Sequence, residues 1–175
     1  DFPLAEIHAR QALEIFRGVL GAEHLRLVSS LTLHGEVLSR LGQFADARLR
    51  IDEAISICQR RGETGVELAG VYRAQSAVEY AADNAGAART AIERAVAILR
   101  RELPADHTEL GQQLGRLGET CLELRDHPCA RTALEESLKI NDGQMPPMVI
   151  AATEFLLAQT YWRQGERDAD RKSVV

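Results

Sequence analysis

The chain has 175 residues, 45% of them hydrophobic and 5% aromatic, and its formal charge at pH 7 is −5. This acidic balance, without any run of five or six like charges, argues against nucleic acid or an anionic membrane as the main partner. No apolar stretch approaches the roughly 18 residues of a membrane span, and the N-terminus lacks the pattern of a signal peptide. Three widely spaced cysteines form no disulfide framework, so we expect a reducing compartment, the cytoplasm.

Apolar residues recur at helical spacing along the whole chain, which predicts helices and no sheet. Gly42 and Gly62 are expected to end two of these helices, and Pro128 to lie in the first turn of another. Asp106 followed by Glu109 has the spacing of a capping box, which predicts a helix start. The predicted helices span residues 1–19, 25–41, 44–61, 66–82, 86–101, 107–124, 128–140 and 149–165, with a breaker at 141–147 and a further helix from 166.

One pattern returns along the chain at a nearly constant spacing. Ala47, Ala88 and Ala130 are 41 and 42 residues apart, and Ala5 lies 42 residues before Ala47. This period indicates a helix pair stacked on copies of itself, because one copy is too small to bury its own apolar face. We therefore expect one domain over residues 1–175. Its units are placed at about 1–21 (second helix only), 22–63, 64–103, 104–145 and 146–175 (truncated), so that both ends of the stack are cut.

Small residues mark the core of each first helix. Gly35 and Gly118 recur at the same place in two units and are predicted to lie where the two helices of a pair touch. The core stripe is assigned to His34, Gly35 and Leu38, to Leu117, Gly118 and Cys121, and to Leu157, Ala158 and Tyr161.

The register of the helix at 66–82 has two solutions. Aligning Ser76 with Gly35 turns Glu79 inward. A shift of one residue instead turns Val71, Ala74, Val78 and Ala81 inward. We prefer the second alignment.

These features resemble the tetratricopeptide repeat, in particular its longer form of about 42 residues found in kinesin light chains and bacterial multidomain proteins. The linkers at 20–28 and 103–110, each with an acidic residue before His24 or His107, are similar to that form as well. The resemblance implies an all-α, right-handed α-solenoid of antiparallel helix pairs and a non-catalytic, protein-binding scaffold. The alternative is a regulatory or sensory segment of a larger bacterial signalling enzyme or transcription regulator.

Two specialised versions of the family are not supported. Kinesin light chain repeats commonly carry an asparagine just before the pair formed by an apolar and a small residue in the first helix, where this chain has Leu33, Arg73, Arg116 and Leu156. The basic and asparagine set that clamps a C-terminal carboxylate in chaperone-binding repeats is also missing. A motor-cargo adaptor or chaperone-tail receptor is therefore not expected.

In the resembling family, the first helices line a concave surface, and we expect a peptide or protein segment to bind there. Phe155, Gln159 and Trp162 share one helical face and are predicted as the strongest anchors; the competing interpretation is that they pack against a following repeat. Arg73, Arg116 and Arg163 of this surface favour an acidic partner. The predicted groove residues are Thr32, Glu36, Arg40, Arg73, Tyr80, Gln112, Arg116, Glu119, Glu123, Phe155, Gln159, Trp162 and Arg163.

No catalytic, cofactor or metal site is expected. The glycine-rich stretch 111–118 lacks the lysine of a phosphate loop and lies inside a predicted helix. Cys121, His127 and Cys129 lack a fourth zinc ligand nearby, and Cys121 is interpreted as a buried core residue. His34 is interpreted as a packed, hydrogen-bonded histidine. Because cut helix ends expose apolar surface, end-to-end self-association is a further expectation.

Overall fold

The structure is a computed structural model that describes residues 2–141 and 146–173, with side chains described for 2–140 and 146–165. Every element in these ranges is an α-helix, which confirms the all-α prediction. Within the same ranges, none of the helices has the length and apolar character needed to cross a membrane. The helices are α1 (Phe2–Leu20), α2 (Arg26–Arg40), α3 (Phe44–Arg60), α4 (Val66–Ala81), α5 (Ala85–Glu102), α6 (Thr108–Glu123), α7 (His127–Asn141) and α8 (Pro147–Ser173).

The chain divides into two units, Asp1–Glu102 and Leu103–Val175. In the first unit, α2 with α3 and α4 with α5 form two helix hairpins, α1 packs on α2, and α4 packs on both α2 and α3. In the second unit, α6 and α7 form a hairpin, and α8 packs mainly on α7. That residues 1–175 form one continuous stack stays a prediction. Residues 142–145 of the predicted breaker lie outside the described residues.

The same turn joins the two helices of each hairpin. It contains one residue in the left-handed region, namely Gly42 (φ 76°), Asp83 (φ 57°) or Arg125 (φ 56°). The next backbone N–H in each case donates to a carbonyl of the preceding helix, which closes the turn and satisfies a helix-end carbonyl. These bonds run from Gln43 to Leu38 (2.9 Å), from Asn84 to Glu79 (2.9 Å) and from Asp126 to Cys121 (2.8 Å).

This repeated turn makes Leu38, Glu79 and Cys121 equivalent, as in the first of the two alignments. Val71, Ala74 and Val78 are buried, as the preferred alignment predicts. That alignment is wrong at Glu79, which it turned outward, and at Ala81, which it turned inward. Glu79 is only 7% exposed, whereas Ala81 is exposed. The carboxylate is accommodated because Arg48 donates to it through Nε (2.7 Å) and Nη2 (2.8 Å), and Asn84 Nδ2 donates at 3.0 Å. A buried charge that is paired and fully hydrogen-bonded can occupy a position that elsewhere holds leucine.

Both recurring glycines lie where the helices of a hairpin touch, as predicted. A Cβ on Gly35 would lie 2.9 Å from Ile51 Cδ1 and 3.2 Å from the Ala47 carbonyl oxygen. A Cβ on Gly118 would lie 2.5 Å from Leu134 Cγ. The absence of a side chain therefore permits the close approach of α2 to α3 and of α6 to α7.

Helix α8 departs from the prediction in two ways. It continues through Gly165 to Ser173, so the predicted turn there and the separate helix from 166 are wrong. Up to residue 165, its buried residues are Thr153 and Thr160, while Ala158 and Tyr161 of the predicted core stripe are exposed. The two threonines can be buried because their hydroxyls donate to the helix's own carbonyls, at Val149 (3.0 Å) and Leu156 (2.8 Å).

Histidine, and not the predicted Asp106, caps the start of α6. His107 Nδ1 accepts a hydrogen bond from the Glu109 N–H at 3.2 Å. At the start of α2, His24 Nδ1 accepts from the Arg26 N–H at 3.1 Å in the same way. An imidazole acceptor thus satisfies an orphan helix-start amide in both linkers.

A disulfide joins Cys121 of α6 to Cys129 of α7, with Cα atoms 5.9 Å apart. The expectation that the cysteines form no disulfide is therefore wrong. Cys121 is buried in the core as predicted, but as half of a disulfide. The two cysteines are eight residues apart and flank the hairpin turn, which returns the chain so that both side chains face each other. Cysteine content consequently gives no support to a reducing compartment.

Candidate functional site

An open cleft of about 250 Å³ lies between α2 and α4 in the first unit. The two helices are the first helices of consecutive hairpins and pack directly on each other. We call this surface the Gly70 cleft. It is lined by Ser29, Thr32, Leu33 and Glu36 of α2 and by Glu67, Gly70, Val71 and Arg73 of α4.

Helical spacing explains why these side chains share the cleft. Ser29, Leu33 and Glu36 are separated by four and three residues and therefore lie on one face of α2. Leu27, Leu31 and other fully buried residues occupy the core-facing side of the same helix. The cleft is thus the surface that remains outside the core when α2 and α4 pack.

Two polar contacts cross the cleft between the helices. Ser29 Oγ donates to Glu67 Oε1 at 3.1 Å, near the start of both helices. Arg73 Nη2 lies 3.4 Å from Glu36 Oε1, farther along both helices. Between these contacts lies Leu33, whose side chain is 55% exposed although it is large and apolar. The cleft therefore has an apolar centre between two polar ends.

Gly70 leaves this centre open. It lies inside α4 with an ordinary helical backbone, and a Cβ added to it would meet nothing within 4 Å. A mid-helix glycine destabilises a helix by about 1 kcal/mol relative to alanine. Neither a turn nor close helix packing requires the glycine here. Its effect is to leave the α4 backbone accessible at this point.

The cleft carries a net negative charge, since its charged groups are two carboxylates, Glu36 and Glu67, and one guanidinium, Arg73. The negative field extends to the buried Cys58 thiol. Burial, followed by the charges of Glu67 and Glu63, raises the pKa of Cys58 to about 11. The Glu67 end is therefore the more negative end of the cleft.

The structure brings together three of the predicted groove residues, Thr32, Glu36 and Arg73, in this cleft. Arg40 and Tyr80 are exposed on the same two helices but do not line it. In the second unit, Gln112 and Gln159 are partly buried, and the other predicted residues are exposed. These exposed residues are Arg116, Glu119 and Glu123 on α6 and Phe155, Trp162 and Arg163 on α8.

The sequence prediction missed five lining residues. Two of them carried a recognisable signal: Leu33 occupies the position at which the kinesin light chain repeats have an asparagine, and Gly70 interrupts a helix without any turn. Nothing in the sequence pattern distinguished Ser29, Glu67 and Val71 from ordinary helix residues. These three are recognised only once α2 and α4 are side by side.

His34, predicted as a packed, hydrogen-bonded histidine, is buried on α2 with Nε2 3.4 Å from Glu6 Oε1 of α1. That contact lacks hydrogen-bond geometry, and neither ring nitrogen has a hydrogen-bond partner among the described residues, so only the packing is as predicted. Burial lowers its pKa, the neighbouring Glu6 opposes this effect, and Arg50 and Arg10 add to it. The pair belongs to the contact between α1 and α2.

Within the described part of the chain, no group of three or more histidine, cysteine or acidic side chains is arranged to hold a metal ion. Cys121 and Cys129, considered above as zinc ligands, are bonded to each other.

Residues 1–60 match the family model of the tetratricopeptide repeat. No curated protein matches the chain. BtubC (BKLC) from P. vanneervenii has the same fold, with 20% identity, a TM-score of 0.73, and coverage of 83% of this chain and 59% of that one. A Podosopora anserina protein of the kinesin light chain type, with nearly identical TPR-like repeats, gives 17% identity and a TM-score of 0.79 over 98% of this chain and 82% of that one.

A form of the Podosopora anserina protein with one substitution gives 18% identity at the same coverage and TM-score. The predicted resemblance to the tetratricopeptide repeat is therefore confirmed, and the fold is that of a helical-repeat solenoid. The chain spans 59% of the length of BtubC.

Proposed function

We propose that the first unit binds a peptide or protein segment across the exposed faces of α2 and α4, with the Gly70 cleft as the central contact. Tetratricopeptide repeats are in general protein–protein interaction modules. The observation that carries the proposal is the combination of an open glycine in mid-helix with an exposed leucine beside it. Both features reduce the stability of the isolated chain and become favourable when another chain covers them.

The proposed role is binding without catalysis. The cleft offers hydrogen-bonding and apolar groups; Arg73 lies against Glu36, and Glu67 accepts a hydrogen bond from the Ser29 hydroxyl. Its volume of about 250 Å³ is below the usual range of small-molecule pockets, which begins at about 300 Å³. One side chain of a longer bound segment suits this volume better than a whole small molecule.

The acidic partner expected from the sequence is not part of the proposal for this cleft. Arg73 was one of the three arginines behind that expectation, and its guanidinium lies against Glu36 inside the cleft. An acidic segment would therefore compete with Glu36 for Arg73 and meet Glu67 as a like charge.

The test is a selection of peptides from a random displayed library on the immobilised chain, followed by affinity measurements with the recovered peptides. Gly70→Leu should weaken their binding about tenfold or more, because the new side chain fills the cleft. Gly18→Leu is the matched control, since Gly18 lies in α1 and also has open space around it. Equal binding to the parent chain and to Gly70→Leu would refute the proposal.

For the second unit, we propose that the exposed aromatic residues of α8 contribute to partner binding. Phe155 is 64% exposed and Trp162 is 72% exposed. Trp162 is the single tryptophan of the chain, so its emission reports on this surface alone. We expect emission typical of exposed tryptophan, quenched by acrylamide, and a blue shift with reduced quenching when a selected peptide occupies this face. Quenching that is already weak without any peptide would show that Trp162 is covered by the protein itself.

A further inference from the structure

We propose that the Gly70 cleft recognises a basic side chain, lysine or arginine, whose charged end meets Glu67 while its methylene stem lies over Leu33. This inference rests on the proposed function, because it specifies the chemistry of the segment that binds there. Three observations support it: the unbalanced charge, the position of the apolar surface, and the free space above Gly70.

The first observation concerns how each carboxylate of the cleft is balanced. Glu36 lies beside a guanidinium, that of Arg73. Glu67 is exposed, and its contact across the cleft is the Ser29 hydroxyl, which donates to Oε1 and leaves Oε2 for another donor. A cation placed at Glu67 would neutralise the net charge of the cleft, whereas an anion would double it.

The second observation concerns the surroundings of Glu67. Glu63 lies in the linker before α4, four residues before Glu67, and both carboxylates act in the same direction on the buried Cys58 thiol, whose pKa they raise. The first turn of α4 offsets part of the Glu67 charge through its backbone amides. The additional negative charge of Glu63 therefore helps to keep the Glu67 end of the cleft negative.

The third observation is geometric. Leu33 follows Ser29 by one helical turn on α2, and Gly70 follows Glu67 by three residues on α4. A side chain that begins above Gly70 and ends at Glu67 must therefore pass Leu33. Lysine and arginine combine an apolar stem of that kind with a charged end, so they can use both surfaces together. A purely apolar side chain would cover Leu33 but leave Glu67 unpaired.

The test uses the peptides recovered from the library selection. We expect lysine or arginine to be enriched at one position, and the tightest peptide to lose affinity when that residue is replaced by norleucine, which keeps the stem and removes the charge. Because exposed ion pairs are weak, the expected loss is about threefold to tenfold. The loss should shrink at high salt.

A double-mutant cycle assigns the effect to Glu67. Glu67→Gln keeps an acceptor for Ser29 and removes the charge, and it should weaken the lysine or arginine peptide by a similar factor. The norleucine peptide should bind Glu67→Gln and the parent chain equally, because the two changes remove the same interaction. Glu93→Gln on α5, another exposed acidic residue, is the matched control and should change nothing.

The two proposals fail in different ways. If Gly70→Leu abolishes binding while the norleucine peptide and Glu67→Gln bind as tightly as the originals, the cleft is a binding site and the basic-residue inference is wrong. If Gly70→Leu binds every recovered peptide as the parent chain does, both proposals are wrong.

Discussion

The hairpins α4–α5 in the first unit and α6–α7 in the second have the same turn but different chemistry at the same repeat position. Glu79 and Cys121 are equivalent, since each accepts the turn-closing hydrogen bond from the residue after the left-handed position. Glu79 is held by the Arg48 guanidinium, and Cys121 is bonded covalently to Cys129. The third equivalent, Leu38, is a buried apolar residue.

This comparison shows what the repeat requires at that position. The backbone turn and the small residue three positions earlier, Gly35, Ser76 or Gly118, are common to all three hairpins. The side chain three residues after the small residue can be apolar, charged or disulfide-bonded, provided that any polar group it carries is paired. The repeat therefore constrains shape at this position more strongly than polarity.

The largest expected effect comes from the small residue itself. Gly118→Leu should reduce the free energy of unfolding by about 3 kcal/mol, because even a Cβ there would lie 2.5 Å from the branched Cγ of Leu134. Gly35→Leu should cost less, about 2 kcal/mol, because the Cβ would first meet Cδ1, the movable end of Ile51. Urea unfolding followed by circular dichroism measures both. Gly18→Leu is the control, and an equal cost for all three variants would contradict the close-packing account.

The second prediction tests whether position 79 requires the ion pair or only a side chain that fills the same space. Arg48→Met leaves the Glu79 carboxylate without its cation and should lower the free energy of unfolding by about 2 kcal/mol. Breaking a fully buried ion pair costs more, but the Arg48 side chain is 40% exposed. Adding Glu79→Leu, the residue type of the equivalent Leu38, should restore most of this loss. A double variant that is no more stable than Arg48→Met would show that this position needs the ion pair.

The same pair predicts a dependence on pH. The hydrogen bond from Arg48 lowers the pKa of Glu79 below its usual value of 4.5. A carboxyl group with a lowered pKa in the folded state contributes stability that is present above pH 4.5 and is lost as the pH falls through the folded pKa. We expect Glu79→Leu to lose less stability than the parent chain over that acidic range, measured by urea midpoints.

The third prediction concerns the disulfide at Cys121, the residue equivalent to Glu79. Reduction of the Cys121–Cys129 disulfide should lower the free energy of unfolding by about 2 kcal/mol, near the lower end for disulfides since the bond closes a short loop. Thermal unfolding with and without dithiothreitol measures the difference. Cys129→Ala serves as the control, because its stability should not respond to dithiothreitol; a response there would point to Cys58 as the source.

The smallest expected effect lies at the contact between α1 and α2. Burial lowers the pKa of His34 below 6.5, so this residue contributes stability above pH 6.5 that is lost as the pH falls through the folded pKa. Glu6→Gln removes the carboxylate that opposes the lowering of the His34 pKa. The free energy of unfolding that is lost between about pH 7.5 and about pH 5.5 should therefore grow by up to about 1 kcal/mol. Urea midpoints at the two pH values test this prediction. His8 is exposed, so the control variant His8→Gln should show the same change in midpoint as the parent chain.

Much of the fold could be predicted because it depends on local spacing. The positions of the hairpins followed from the 41- to 42-residue recurrence of alanine, and the glycine contacts at Gly35 and Gly118 followed from their shared place in the repeat. The candidate site was predicted only in part. Thr32, Glu36 and Arg73 follow from helical spacing, but Glu67 and Gly70 become lining residues because of where α4 packs against α2.

By itself, the sequence determined the helical class, the repeat period and the helix-ending turns at Gly42 and Gly62, since all three depend on interactions between residues close together in the chain. The tertiary structure decided which polar side chains are buried: Glu79 because Arg48 reaches it from α3, and Cys121 because α7 brings Cys129 to it. It also decided which apolar residue remains exposed, since Leu33 borders an open space above Gly70. Whether a residue is buried depends on the neighbouring helix. The hydrophobic pattern of one helix does not show which residues of another helix will pack against it.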